Sequence, residues 1–201
     1  MESRTRAKRI LNILKKYYPD AKITLNYSNN FELLIAVMLS AQTTDASVNK
    51  VTPYLFRKYN SVKKFANADL KTLEKDIKSI GLYKTKAANI KNSSNVLLSR
   101  FHGQVPKTMD ELLTLSGVGR KTANVVLSHA YNIIEGIAVD THVRRLAFEL
   151  GLTRERNPEK IEKDLMKLFE KKDWPSVTHL LIAHGRKKDK IVDKLLREVK
   201  G

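Results

Sequence analysis

Apolar residues recur every three or four positions along this chain, and no segment alternates apolar and polar residues as a strand does. Between residues 69 and 80, for example, Leu70, Leu73 and Ile77 would line one face of a helix. Segments of this kind are separated by helix-capping signals, such as the Ser/Thr-x-x-Glu box that begins at Thr108. The sequence therefore predicts an all-α fold.

The helical periods and their caps also predict where the main helices lie. Helices are predicted over residues 2–18, 32–41, 69–80, 84–101, 174–184 and 190–199, with others starting near Thr44 or Asp45, after Thr108 and after Asn157. The stretch 31–39 is apolar enough for a buried strand, but its leucine, alanine and methionine content favours a helix. Gly81 is expected to stop the helix over 69–80 as its C′ residue.

A tight turn, Gly117-Val118-Gly119, leads directly into Arg120 and Lys121. Glycine accepts positive φ and close approach of another backbone, and a helix that begins after such a turn presents free N–H groups to an anion. The spacing does not match the Walker loop, because no glycine lies five residues before Gly119. The turn therefore predicts either a phosphate site with a lysine beside it or an ordinary connection between two helices.

An acidic residue, Asp140, follows an apolar run nineteen residues after Lys121. An aspartate in this position commonly caps the helix that follows it. A carboxylate in this position can also belong to a functional site. The residues alone leave both interpretations open.

Taken together, these segments resemble the endonuclease III family of DNA glycosylases. Leu-Ser-Gly-Val-Gly-Arg-Lys-Thr-Ala-Asn-Val-Val at 115–126 resembles the family's helix-hairpin-helix, and Val-Asp-Thr-His-Val-x-Arg at 139–145 resembles the Gly/Pro-Asp loop that follows it. The resemblance extends to residues 31–42, 80–83 and 184–186, and so covers nearly the whole chain. The combination is far more specific than any single motif.

The resemblance implies two helical domains with a DNA-binding cleft between them. Residues 25–132 would form a central multi-helix domain that contains the helix-hairpin-helix. Residues 1–24 and 133–201 would form a discontinuous terminal domain without an iron–sulfur loop. Lys121 and Asp140 would then lie at the mouth of the cleft, where ligand sites tend to occur.

The implied activity is that of a bifunctional DNA glycosylase and AP lyase of base excision repair, acting on oxidised pyrimidines. Such an enzyme flips the damaged nucleotide out of double-stranded DNA. Lys121 would attack C1′ and form a Schiff base that permits β-elimination, while Asp140 would stabilise the cationic sugar and take a proton. A solvated surface lysine is the alternative for Lys121.

The remaining family positions predict residues that bind DNA or support the pocket. Gln42 would fill the space left by the flipped base and Leu82 would insert at the opposite strand; a polar helix cap and a hydrophobic C-cap contact are the respective alternatives. The other predicted DNA contacts are Gly117, Val118, Gly119, Arg120 and Arg145, and the predicted pocket or supporting residues are Ser40, Asp45, His142 and Arg144.

The charge of the chain favours a polyanionic partner. It contains 38 lysine and arginine residues against 21 acidic ones, a formal net charge of +17. A basic membrane-binding surface is the competing interpretation, but no apolar run reaches the about 18 residues needed to span a bilayer. No signal-like segment is present at the N-terminus. The absence of a signal and of cysteine favours an intracellular location, in the cytoplasm or nucleoid if prokaryotic, and we expect the protein to be a monomer.

The chain contains no cysteine, although endonuclease III proteins usually carry four after the His-Gly-Arg motif. Asp189 stands at the first of those positions. We therefore expect no 4Fe-4S cluster and no metal site, and we expect the helix over 190–199 to close the terminal domain by hydrophobic packing. The resemblance also implies a monovalent cation held by hairpin carbonyls, such as those of Leu115 and Val118.

Three other functions are compatible with parts of the sequence. One is a monofunctional mismatch glycosylase, which would release a base without a covalent imine. Another is a DNA-damage-binding module that has lost catalysis. The third is a basic structural protein that coats nucleic acid.

Overall fold

The structure, a computed structural model, describes residues 3–187 and 189–200, and in these residues the regular structure is helical with no strand. The all-α prediction is confirmed for the described chain. The helices are α1 Ser3–Tyr17, α2 Asn30–Leu39, α3 Asp45–Lys58, α4 Val62–Ala66, α5 Leu70–Asp76, α6 Tyr83–Phe101, α7 Met109–Leu113, α8 Arg120–Tyr131, α9 Thr141–Glu149, α10 Pro158–Leu168, α11 Trp174–Lys187 and α12 Lys190–Lys200, with a 3₁₀ turn at Lys171–Asp173.

The chain divides into two compact units. Unit 1 comprises Met1–Ile23 and Ile134–Gly201, and unit 2 comprises Thr24–Ile133. Unit 1 is therefore assembled from both ends of the chain, whereas unit 2 is continuous.

Unit 2 is built around α2, in which every residue from Leu33 to Leu39 is buried. A helix that is apolar on all sides must be covered on all sides, and α3, α6 and α8 pack against it. Asn29 begins the helix, because its side chain accepts the N–H of Glu32. The buried position of α2 explains why its sequence alone could also suggest a strand.

Unit 1 has a core to which both ends of the chain contribute. Ile10 and Leu14 of α1 lie in one apolar cluster with Leu181 of α11 and with Val192 and Leu196 of α12. The N-terminal helix thus obtains its packing partners from residues far along the chain.

Two predictions about elements need correction. The helix predicted over 69–80 ends at Asp76, and the chain then turns several times before α6 begins at Tyr83. Gly81 is not a left-handed C′ residue; the left-handed position is Leu82, with φ 58°. The short helix α4 was not predicted, because five residues are too few to show a helical period.

Candidate active site

The Gly-x-Gly turn is a tight connection that packs against α6. Gly117 has φ +76°, and a Cβ there would lie 2.5 Å from Asn89 Nδ2. The Ser93 hydroxyl donates a hydrogen bond of 2.8 Å to the carbonyl of Ser116 in the same turn. Only glycine meets both the conformational and the steric requirement at position 117.

The turn leaves the start of α8 open. Gly119 is the N-cap residue and has no side chain, so it supplies no side-chain cap to the first N–H groups of the helix. A Cβ at Gly119 would meet nothing within 4 Å. By contrast, the Val118 side chain is 6% exposed, so only its backbone is available for the predicted DNA contact.

Lys121 is the second residue of α8 and is half-buried. In the part of the chain that is described, its ammonium has no ion pair or hydrogen bond within the protein. Its position puts an amine one turn from the open amides of the helix N-terminus. That arrangement suits a group that meets an anionic substrate.

Asp140 is the N-cap of α9. Its Oδ1 accepts the N–H of Val143 at 2.8 Å, which confirms the helix-cap interpretation. The cap fixes the orientation of the carboxylate, and only one of its two oxygens is used in this bond. The residue is half-buried, so the cap and a catalytic role are compatible.

Gln42 and Leu82 are exposed residues with left-handed backbones. Gln42 has φ 53° and Leu82 has φ 58°, and Leu82 is 58% exposed. Leu82 is also the N-cap residue of α6. A Cβ added at Gly81 would lie 3.4 Å from both the Gln42 carbonyl and the Thr43 hydroxyl, so the structure brings these two turns together.

Lys86 is buried next to these turns. It was not among the predicted functional residues. It is 6% exposed, and its ammonium donates to the carbonyls of Leu39 and Ala41 and to the Thr43 hydroxyl. In the sequence it is one lysine among many in a basic helix. The only signal was its spacing four residues after Leu82, which puts it on the same face of α6.

Two predicted supporting residues of unit 2 have structural roles. Ser40 is the C-cap of α2, and its hydroxyl donates to the Val37 carbonyl at 2.8 Å. Asp45 begins α3 after the N-cap Thr44, and its carboxylate accepts from the Thr24 hydroxyl. Thr44, not Asp45, is therefore the cap.

The predicted residues of α9 differ in exposure. His142 packs on Gly185, where a Cβ would lie 2.6 Å from its Nδ1, so the glycine of the His-Gly-Arg motif makes room for this ring. Arg144 and Arg145 are exposed. Arg145 pairs with Glu149 at 2.8 Å, an exposed pair of the kind that contributes little and can be exchanged for a phosphate.

The region after His-Gly-Arg supplies no ligands for a cluster. The whole sequence lacks cysteine, so a thiolate-held iron–sulfur cluster does not fit this chain. Asp189, at the first of the family's cysteine positions, instead accepts the N–H groups of Ile191 and Val192 and caps α12. Across residues 3–187 and 189–200, no group of three or more histidine or acidic side chains could hold a metal ion.

The described helices were also compared with the dimensions of a bilayer. None of those in residues 3–187 and 189–200 has both the length and the apolar character that a membrane span requires.

Comparison with known proteins identifies the family. A model described as HhH-GPD superfamily base excision DNA repair protein matches residues 35–171. Endonuclease III of Synechocystis sp. is 50% identical over 181 residues, which are 90% of this chain and 83% of that protein. Endonuclease III of Bacillus subtilis is 48% identical over 170 residues, 84% of this chain and 77% of that protein.

Solved structures agree with the sequence relatives. A non-covalent endonuclease III–DNA complex matches with a TM-score of 0.92 and 43% identity, and the match covers 100% of this chain and 98% of that one. A trapped endonuclease III–DNA covalent intermediate matches with a TM-score of 0.89 and 46% identity, over 93% of this chain and 88% of that one. The chain therefore belongs to the endonuclease III family, within the HhH-GPD superfamily of base excision DNA repair proteins.

Proposed function

We propose that Lys121 is the nucleophile and Asp140 the proton acceptor of this enzyme, and that oxidised pyrimidines in double-stranded DNA are its substrates. As a member of the endonuclease III family, the chain is a base excision repair DNA glycosylase with AP lyase activity. The proposal assigns that activity to residues. It is supported by the match of both positions to the family's motifs and by the unpaired amine at the start of α8.

The reaction begins with an attack of the neutral Lys121 amine on C1′ of the flipped nucleotide. The bond from C1′ to the base breaks, and the base leaves with the electron pair and takes up a proton. Asp140 stabilises the positive charge that develops on the sugar and accepts a proton from the attacking amine. Opening of the sugar ring then gives a protonated Schiff base between Lys121 and C1′.

The Schiff base makes the lyase step possible. The iminium withdraws electrons and acidifies C2′, so a proton is lost there, and the electron pair expels the 3′ phosphate. The C3′–O bond breaks and the strand is cut. A monofunctional enzyme, which uses water as nucleophile, would stop after base release.

DNA binding is assigned to turns of unit 2 and to arginine residues of α8 and α9. Gln42 would enter the space left by the flipped base, where its amide can hydrogen-bond the unpaired base, and Leu82 would insert at the opposite strand. Gly117, Gly119 and the first amides of α8 would hold a phosphate, and Arg120, Arg144 and Arg145 would add charge.

The hairpin carbonyls suit the monovalent cation that the family resemblance implies. The Leu115 carbonyl accepts from the Val118 N–H at 3.1 Å, which leaves it a second lone pair. Leu115 and Val118 would hold the ion, which would add positive charge beside the phosphate. We further propose that the enzyme works without a cluster, and that α12 stabilises unit 1 instead.

The observation that carries the proposal is Lys121 itself, an amine with no partner among the described residues, on a helix whose N-cap Gly119 has no side chain, in a family whose members include a protein trapped as a covalent DNA intermediate. The test is borohydride trapping on a duplex with one abasic site. Borohydride reduces an imine to a stable crosslink, which we expect for the native chain and for Lys160→Gln but not for Lys121→Gln.

Two results would contradict the assignment. A crosslink that persists in Lys121→Gln would move the nucleophile to another amine. Base release by the native chain without any crosslink would place the protein in the monofunctional branch.

A further inference from the structure

Lys86 is a buried cation whose three donors all point into one short segment. Its Nζ lies 2.8 Å from the Leu39 carbonyl, 2.5 Å from the Ala41 carbonyl and 3.0 Å from the Thr43 hydroxyl. These acceptors lie on both sides of Gln42. The ammonium therefore holds the end of α2 and the turn that follows it.

The same residue is connected to the second turn through its backbone. The Lys86 N–H donates to the Leu82 carbonyl at 3.0 Å, as the first helical bond of α6. The side chain thus contacts the Gln42 turn and the main chain contacts the Leu82 turn.

Burying this lysine is unfavourable by itself. In the described residues no carboxylate pairs with it, and burial lowers the pKa of its ammonium. Desolvation of a charge is costly unless hydrogen bonds replace the lost water. An apolar side chain could fill this space without the cost of desolvating a charge. Packing alone therefore does not explain why a lysine is buried here.

The two turns have a conformation that needs support. Four described residues other than glycine have positive φ, and two of them, His102 and Asn132, are helix C-caps, where that conformation is common. Gln42 and Leu82 are the other two, and the left-handed conformation is unfavourable for a residue with a side chain. Such conformations persist only where the surroundings fix them.

We propose that Lys86 is a positioning residue that holds the Gln42 turn against the Leu82 turn, so that both side chains enter DNA together. The proposal rests on the insertion roles proposed above for Gln42 and Leu82. It predicts that Lys86 matters for damage held in a duplex and not for the chemistry at Lys121.

The test compares four proteins in two assays. The first assay measures single-turnover base release from a lesion-containing duplex. It is applied to the native chain, Lys86→Met, Gln42→Ala/Leu82→Ala and the triple variant. Each is also measured for borohydride trapping on a single-stranded abasic oligonucleotide, where no stacked duplex has to be opened. Lys91→Met is the matched control, because Lys91 is also on α6 and also donates to a backbone carbonyl, that of Ala68.

We expect Lys86→Met to slow base release from the duplex by about tenfold or more, since a displacement of about 1 Å can cost 10²-fold. The substitution should have no further effect in the Gln42→Ala/Leu82→Ala background, because Lys86 acts through those residues. Trapping on the single strand should stay within about twofold of the native chain for Lys86→Met, and Lys91→Met should match the native chain in both assays.

Several outcomes would overturn the proposal. Native-like base release by Lys86→Met would be one. Another would be an equally large loss of base release when Lys86→Met is added to Gln42→Ala/Leu82→Ala. A third would be a parallel loss of single-strand trapping by Lys86→Met, which would indicate general destabilisation. If Gln42→Ala/Leu82→Ala itself keeps full activity, the insertion roles fail, and the positioning role fails with them. Should Lys86→Met not fold, Thr43→Val removes one acceptor and must show the same dependence on the background.

Discussion

At the residue scale, the two glycines of the hairpin have different tasks. Gly117 has a positive φ and no space for a side chain, since Asn89 lies against it. Gly119 has φ −97°, which any residue adopts, and open space where a Cβ would be. Folding requires Gly117. Gly119 instead leaves space for the phosphate that is proposed to bind at the start of α8.

We therefore expect Gly117→Ala to lower the free energy of unfolding by about 2 kcal/mol or more, from the left-handed conformation and the clash with Asn89. Gly119→Ala should change it by less than about 1 kcal/mol, because the N-cap preference for glycine and the entropy gain oppose each other. Urea unfolding of both variants measures these differences.

Binding should show the reverse order. We expect Gly119→Ala, still folded, to weaken binding to an abasic duplex in fluorescence anisotropy by several-fold, because its methyl group occupies the path of a phosphate. Equal affinity of Gly119→Ala and native chain would contradict the proposed phosphate site.

The sequence predicted candidate site residues by type but not their conformations. The positive φ of Gln42 and Leu82 could not be predicted, because neither residue favours it and only tertiary contacts impose it. Lys86 was missed for a related reason. Its importance depends on acceptors more than forty positions away in the chain, which no local pattern contains.

At the element scale, α12 stands where the family usually has cluster ligands. Val192 and Leu196 are 0% and 1% exposed in the core of unit 1, whereas Ile191 on the same helix is 64% exposed. Asp193 accepts from His184 at 3.1 Å, and His184 in turn contacts the Tyr18 hydroxyl at 2.9 Å. The helix is thus attached to unit 1 by both apolar and polar contacts.

Leu196→Ala should cost about 2–5 kcal/mol of unfolding free energy, since it leaves a cavity in a packed core. Ile191→Ala, its control on the same helix, should cost less than about 0.5 kcal/mol. Chemical denaturation of both variants measures these unfolding free energies. Similar values for both variants would mean that α12 does not stabilise unit 1.

The contact of α11 with α12 predicts a pH dependence. Burial lowers the pKa of His184 below its ordinary 6.5, although Asp193 acts in the opposite direction. The unfolded chain therefore binds a proton at a higher pH than the folded chain does. This contribution to stability is present above pH 6.5 and is lost as the pH falls through the lowered pKa.

Melting temperatures between pH 8 and pH 5 should fall more steeply for the native chain than for His184→Gln. The half-buried His129, whose pKa is also lowered, contributes with the same sign in both proteins and so cancels in the comparison. Parallel curves would contradict the prediction.

The elements themselves were largely predictable where caps and apolar periods coincide. Asn29, Thr108 and Asn157 each precede a helix and cap it through their side chains. The errors occur where a helix is short or stops without a cap residue. The helix begun by Asp69 shows this, because its apolar period continues through Ile80 although the helix ends at Asp76.

At the scale of the whole molecule, the formal net charge of +17 should dominate binding to undamaged DNA. Each phosphate neutralised releases counterions, so the logarithm of the affinity should fall linearly with the logarithm of salt concentration, by about 0.9 per phosphate contact. Anisotropy titrations of an intact duplex over a range of salt concentrations measure the slope. A slope near zero would contradict an electrostatic interface.

The packing of α1 against α12 has a consequence for synthesis on the ribosome. α1 emerges first, but the residues that cover Ile10 and Leu14 come only after the whole of unit 2 has been made. At translation rates of about 5–20 residues per second, the nascent α1 waits several seconds with its apolar face uncovered. The order of synthesis therefore favours completion of the continuous unit first, and the discontinuous unit can close only when α12 has also been made.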